Sequence, residues 1–393
     1  MQKINILYVI TKLELGGAQK QLLSLLGHLD KEKFSPFLFT AKDGELFPDA
    51  SSISGIKIKR SIFLGRPIRP LKDILALIEI YLFIKKNDVA VVHTHSSKAG
   101  ILGRCAAGLA KTRIIIHTVH GWSFNDYQPA ICRKLFIWLE RFAARFTDRL
   151  IVVSAHDKEK GLRNRIGSEN KYVLIRYGID YAEFGKGVQD IKQELGIGQG
   201  YLTVGMISCF KPQKAPEDFV KLAFLVNKEF PGVKFLLVGD GALCGNIQGL
   251  IHKLGLDTKV ILTGWRRDIE RVLSAIDVFV LTSLWEGLPI AALEAIASSI
   301  PVIATHTGGI AELIIDGETG FLVPVHDMQR MSKKIALLLK DAQLRRRMGL
   351  GAKSNLGANF TLEGMVRSHQ DLYCGLYSAP LGAEYSALKG PPG

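Results

Sequence analysis

Short apolar runs, many of them β-branched, recur along this 393-residue chain, and longer segments with the three-to-four-residue period of amphipathic helices separate them. In the first half, strands are expected at "INILYVI", "FSPFLFT", "VAVVHTH", "RIIIHTVH" and "RLIVVS"; in the second half, at "YLTVGMIS", "VKFLLVGD", "KVILTGW", "DVFVLTS", "PVIATHT" and "GFLVPV". Few architectures accept this alternation. Consecutive parallel strands need long crossovers, so the pattern predicts parallel sheets covered by helices on both faces.

One core rarely serves so long a chain, and two domains of somewhat under 200 residues are expected. Periodicity lapses near "VLIRYGIDYAEFGKGVQD", where Gly178, Gly185 and Gly187 cluster. The reading is therefore α/β: two doubly wound, Rossmann-like domains facing across a cleft, 1–178 and 179–360. A last amphipathic segment spans 361–377, and 378–393 has turn-forming residues without an apolar period. In open sheets of this kind ligands bind at the carboxyl ends of strands, so the cleft lies between two such edges.

Charge is unevenly divided. Residues 1–178 carry 29 Lys and Arg against 15 Asp and Glu, whereas residues 179–393 carry 22 of each. The whole net charge of +14 lies in the first half, which suggests an anionic partner there. Aromatic-basic interleaving of the RNA-binding kind is absent, so no nucleic acid is expected. The five cysteines, Cys105, Cys132, Cys209, Cys244 and Cys374, form no C-x-x-C pair, which fits a reducing compartment and argues against a thiolate zinc site. The first apolar run is short for a signal segment, and "ILALIEIYLFI", interrupted by Glu79, falls short of a membrane span. A cytoplasmic protein is expected.

Several loops after strands carry chemistry. Gly16-Gly17 precedes the first helix, and Gly308-Gly309 follows "VIATHT"; both suit an anion at a helix N-terminus, and both equally suit a tight turn. "SCFKPQKAPEDF" places Lys211 and Lys214 after a strand, where two cations suit a diphosphate. "VGDGALCG" has G-x-G-x-x-x-G spacing and lacks the later acidic residue, which disfavours a dinucleotide site. His93, His95, His117 and His120 end two strands; a zinc site there needs a further ligand, and hydrogen-bonded structural histidines are the commoner outcome. His120 precedes a glycine at the cleft edge, where it can orient a substrate hydroxyl or accept its proton.

"SLWEGLPIAALEAIA", Ser283 to Ala297, puts Glu286 and Glu294 into apolar surroundings. A buried charge needs a partner. Glu286 falls in the loop after "DVFVLTS", and Glu294 lies a turn and a half into the helix that Pro289 opens, so the two touch different parts of one extended, hydroxyl-rich ligand.

This segment resembles the E-x7-E motif of the family 4 retaining glycosyltransferases, which have the two-domain GT-B fold. "GGAQ", "VVHTHSSKAGILGR", "HTVHG", "KPQKAPEDF", "VGDG", "TGWRRDIERVLSAIDVFVLTS" and "THTGGIAELIIDGETGFLVP" extend the likeness to about Tyr377. The resemblance implies a nucleotide-diphospho-sugar donor, UDP-linked in the first instance, on the second domain. Glu294 would hold the ribose and Glu286 the transferred sugar, and Lys214 matches the diphosphate lysine. The Gly287-Leu288 amides and Gly16-Gly17 would lie near the phosphates, and His120 corresponds to the active-site histidine. Two positions depart from the family pattern. Ser208 replaces an arginine, whose charge Lys211 is expected to supply, and Gln19 stands where an acidic residue is usual.

The resemblance further implies a lipid-linked or glycan acceptor on the basic first domain and a final helix that crosses back to it. It also implies peripheral binding to the inner membrane face, through helices such as "CRKLFIWLERFAARF", in bacterial surface-glycan synthesis. No D-x-D occurs, so neither a metal nor a cofactor beyond the donor itself is expected. The rivals are a nucleotide-sugar 2-epimerase of similar fold, a glycosidase using both glutamates, and a non-enzymatic module for anionic membranes.

Overall fold

The computed structural model describes residues 3–184, 191–198 and 200–379. Two all-parallel sheets organise them. The first runs β3-β2-β1-β4-β5-β6-β7, from β1 (Ile4–Val9), β2 (Phe34–Ala41), β3 (Lys57–Ser61), β4 (Val91–His95), β5 (Ile114–Val119), β6 (Arg149–Val152) and β7 (Tyr172–Leu174). The second runs β10-β9-β8-β11-β12-β13, from β8 (Thr203–Ile207), β9 (Lys234–Val238), β10 (Val260–Leu262), β11 (Val278–Leu281), β12 (Val302–Thr305) and β13 (Gly320–Val323). Strand order reverses between β1 and β4, where Ile6 faces Val91, and between β8 and β11, where Phe279 faces Gly205. The crevice at such a reversal is where ligands bind in open sheets. The expected pair of doubly wound domains is present.

Strand alternation divides the first core. Ile6, Tyr8, Leu38 and Val91 face α1 (Gly17–His28) and the final helix, while Leu7, Val9, Phe39 and Val92 face α2 (Pro70–Lys86) and α3 (Ser97–Leu109). Next to α3 packs α4 (Ala130–Ala144). Two strands carry no apolar run in the sequence. β3 is "KIKRS" and β7 only "YVL"; both are edge strands, where polar and short sequences are favoured.

The chain crosses between domains twice, side by side. Ile179 N–H donates to Phe360 O at 3.0 Å and Leu362 N–H to Ile179 O at 3.0 Å. A Cβ on Gly178 would lie 2.6 Å from Thr361 O, so glycine is required for this approach. After the second crossing, Met365, Val366, Leu372 and Tyr373 of the last helix (Leu362–Ser378) bury in the first domain's core. That helix takes in Ser378, and the remaining tail from 380 onward lies outside the described residues, as do Gly185 and Gly187.

Candidate active site

Four strand ends meet across the cleft. From the second domain, the turn Pro212–Lys214 follows β8, and the loop Ser283–Pro289 links β11 to α5 (Ile290–Ala297). Side chains and backbone lash these two loops together. Leu284 N–H donates to Gln213 O at 2.8 Å, and Gln213 Nε2 donates to Trp285 O at 2.8 Å. The Thr282 hydroxyl donates to Lys214 O at 3.0 Å, and Ala215 holds a left-handed φ of +44°, a conformation a non-glycine residue adopts only when its surroundings enforce it. Lys214 Nζ is thereby presented to Glu286, whose side chain is 6% exposed, and the two form an ion pair.

Glu294, the fifth residue of α5, is 8% exposed. Its nearest cation is Lys20 of α1, at 4.0 Å across the cleft. Burial raises the carboxyl's pKa and Lys20 opposes the rise. A single cation at that distance leaves most of the carboxylate's acceptor sites for a ligand. Lys211 makes no ion pair among the described residues; burial and the neighbouring Lys214 lower its pKa. The Ser208 hydroxyl is buried without a hydrogen-bond partner among the described residues. Helix α1 begins at Gly17 with no side-chain cap, so its first amides are open to a ligand.

A chamber of about 330 Å³ joins these groups. Gly16, Gly17, His120, Ser208, Lys211, Lys214, Glu286, Leu288 and Glu294 all line it. Gly287 instead lines a second chamber of about 660 Å³, walled mostly by the first domain and closed by Gln213, Trp285, Glu286 and Gly287 of the second; the two chambers share Glu286 and His120 among others. Gly308 and Gly309 line neither; their expected place as a phosphate cradle is not what the fold gives. Gly309 N–H donates to Gly287 O at 2.7 Å, and a Cβ on Gly308 would fall 2.1 Å from Glu286 O, so this pair buttresses the Glu286 loop from behind.

His120 is fully engaged. Its Nδ1 lies 2.7 Å from the Tyr177 hydroxyl and its Nε2 2.9 Å from His95 Nδ1. Burial, with His369 nearby, lowers its pKa to about 3. Both ring nitrogens are thus occupied within the protein, and this arrangement displays neither of the two roles expected for His120. His93 bridges Tyr373 and Thr118 at 2.7 Å each, and His117 turns to the opposite face, 2.9 Å from Thr94 Oγ1. Among the described residues no cluster of histidine, cysteine or carboxylate groups is placed to hold a metal.

Sequence reasoning missed Lys20, Tyr177, Gln213, Trp265 and Arg266, which also line the first chamber. Lys20 falls one turn after Gly16-Gly17 and was findable; Tyr177 sits at the domain crossing, a position that periodicity does not mark.

The cleft is closed in this structure. Tyr127 stacks on Trp285 with ring centroids 5.2 Å apart, Arg267 pairs with Asp49 at 3.0 Å, and Arg176 with Glu312 at 2.8 Å. Cations, open backbone amides and carboxylates thus share one chamber, with a second chamber beside it.

Comparison with known proteins agrees with this geometry. Residues 15–183 match the family model Glycosyltransferase Family 4, and residues 187–355 match Glycosyl transferases group 1. An Escherichia coli protein named UDP-Gal:alpha-D-GlcNAc-diphosphoundecaprenol alpha-1,3-galactosyltransferase is 33% identical over 94% of this chain and 97% of its own. Among solved structures, Anabaena Alr3699/HepE in complex with UDP-glucose superposes with a TM-score of 0.82 at 20% identity, covering 95% of this chain and 100% of that one. Sucrose-phosphate synthase from Thermosynechococcus elongatus gives 0.84 at 23%, covering 96% and 100%. These two share the GT-B fold; the family follows from the sequence matches, and the chain belongs to the family 4 glycosyltransferases.

Proposed function

We propose that this glycosyltransferase moves a sugar, with retention and without a metal, from a UDP-linked donor to a lipid-linked or lipopolysaccharide acceptor in bacterial surface-glycan synthesis. The observation that carries the reading is the shared wall: Glu286 and His120 border both a cationic chamber and a larger second one. An epimerase needs no second chamber. The names of the E. coli relative and of the Anabaena complex support a UDP-sugar donor, and the first of them supports a diphospholipid acceptor.

In the proposed chemistry the anomeric C–O bond of the donor breaks through an oxocarbenium-like transition state, and its electron pair stays on the diphosphate. Lys211, Lys214 and the amides at Gly16-Gly17 and Gly287-Leu288 stabilise that charge. Glu286 accepts hydrogen bonds from the transferred sugar and Glu294 from the ribose. The acceptor oxygen attacks from the leaving-group face, and its proton passes to the departing phosphate oxygen. A neutral, doubly bonded His120 is consistent with that route, since it offers no free base. Inverted anomeric configuration in the product would refute it.

Thermal-shift measurements in EDTA against UDP, GDP, ADP and their sugar conjugates test the donor. At a hundred times its Kd a ligand adds roughly 2.7 kcal/mol of stability. Stabilisation by the uridine series, lost in Glu294→Ala, is expected. No response from any nucleotide overturns the donor site.

Closure can be tested separately. A methyl group on Gly287 would sit 2.6 Å from His120 O and 3.0 Å from Gly121 N, both backbone atoms of the opposite domain. Gly287→Ala therefore holds the domains apart without touching either core. Since a displacement near 1 Å costs on the order of 100-fold in rate, kcat/KM should fall by about that factor while Tm stays close to wild type. Unchanged kcat/KM would mean that this closed arrangement is not the reactive one.

A further inference from the structure

At the cleft the first sheet holds a column of stacked rings. His95 ends β4, His120 follows β5, and Tyr177 follows β7 just before the crossing at Gly178. The ring centroids of His95 and His120 lie 5.2 Å apart at 25°, and those of His120 and Tyr177 5.7 Å apart at 26°. Each ring comes from a different strand end, so only the assembled sheet forms the column.

Hydrogen-bonding capacity is unevenly spread along it. A neutral imidazole has one donor and one acceptor, and His120 uses both, on Tyr177 and on His95. Nothing of that ring is left for a ligand. A phenolic hydroxyl both donates and accepts, and His120 takes only one of these sites. Tyr177 therefore keeps a free site whichever ring nitrogen carries the proton. Burial, with the negative charges of Asp157 and Glu286 nearby, raises its pKa well above the ordinary tyrosine value, so the hydroxyl stays neutral.

The hydroxyl is also held in place. His95, 2% exposed, fixes His120 from behind. The backbone just after Tyr177 is clamped by Gln21, which donates to Gly178 O at 2.9 Å and accepts from Gly178 N–H at 3.1 Å. Such support is what a recognition contact needs.

Tyr177 lines the donor chamber together with Glu286, the residue read above as holding the transferred sugar. Lysines suit the diphosphate of that donor; a neutral hydroxyl suits a sugar hydroxyl, itself donor and acceptor. We infer that Tyr177 is a specificity-determining residue, whose hydroxyl, aimed by His120 and His95, bonds one hydroxyl of the transferred sugar. This rests on the nucleotide-sugar reading above, and it moves to Tyr177 the orienting role expected of His120.

Calorimetric titration of the full chain in EDTA tests the contact, with UDP, UDP-galactose, UDP-glucose and the monodeoxy analogues of both sugars. Wild type should bind one deoxy analogue about tenfold more weakly than its parent, the cost of leaving a buried hydroxyl unpaired. Tyr177→Phe keeps the ring and removes only the hydroxyl. The variant should bind the parent about tenfold more weakly, that one analogue no more weakly than wild type does, and UDP unchanged. Variant and analogue are then coupled at a single position of the sugar, which a purely structural tyrosine would not produce.

Equal binding of every analogue by wild type overturns the inference without any variant. Discrimination that survives in Tyr177→Phe would move the contact to another residue and overturn it too, as would equal weakening of UDP and all its conjugates. If wild type binds UDP in these cases, the donor site stands and only the role of Tyr177 falls. If wild type binds none of the nucleotides, the donor reading falls and takes the contact with it.

Discussion

Lys214→Ala should lower kcat by about 10²–10³-fold, the cost typical of removing one preorganised charge from a developing anion. It should also destabilise the fold, because Glu286, with its side chain 6% exposed, loses its partner. Breaking a buried pair from one side costs about 3–5 kcal/mol. Activity and stability therefore fall together, and the single variant does not say which role matters for rate. Lys214→Met combined with Glu286→Lys would invert the problem; Lys214→Met combined with Glu286→Gln removes both charges and separates the roles. Because Glu286 itself faces the sugar in this reading, the reference for rate is Glu286→Gln alone: if Lys214 serves only to neutralise Glu286, the doubly neutral protein recovers stability and reaches that variant's rate. If it stabilises the leaving diphosphate, stability returns and kcat does not. The second outcome is expected, measured by urea unfolding beside initial rates.

Acid should unfold the first domain steeply. Burial lowers the pKa of six histidines there: His93, His95 and His117 well below the ordinary value, His120 to about 3, His369 to about 4, and the half-buried His156 as well. Unfolded, each titrates near 6.5. Below that pH the unfolded chain binds protons that the folded one refuses, so the stability present above about pH 6.5 is lost as pH falls toward the folded values. Two buried carboxyls, Asp157 and Glu294, and the exposed Asp148 work the other way. Asp157, raised to about 7, and Asp148 and Glu294, also raised, take up protons in the folded state and gain stability as pH falls. The histidines outnumber these carboxyls, so the net effect is a loss of stability as pH falls below about 6.5. Urea midpoints measured from neutral pH down to about 5 should drop accordingly; a level midpoint would show that the histidine cluster accepts charge when folded.

Much of this molecule could be read from local pattern, and the unread part has a common physical origin. Apolar runs located all six strands of the second sheet, because its central strands are buried on both faces and its edge strands β10 and β13 carry short apolar runs as well. β3 and β7 escaped because an edge strand needs no such run. The two glutamates stood out because charge in an apolar helix is costly, and both do reach the first chamber. Gly308-Gly309 misled because close backbone packing and a phosphate cradle ask for the same residue. The engagement of His120 was invisible for another reason. His95 is 25 positions away and Tyr177 57, so only the assembled sheet and the domain crossing bring them together.

The paired crossings at Gly178–Ile179 and Phe360–Leu362 also set the order in which the protein can be completed. Residues 179–360 are a continuous insert whose two ends touch, whereas the surrounding domain is split between the start of the chain and its last helix. During synthesis the second domain has all its strands once β13 has left the ribosome. The first domain, although made earlier, still lacks Met365, Val366, Leu372 and Tyr373, and the apolar face of its sheet waits for them. The half that is translated first is finished last. A nascent chain of this protein therefore carries an open hydrophobic groove through most of its elongation, and a truncation just after Thr361 would spare the second domain and leave its neighbour without a wall.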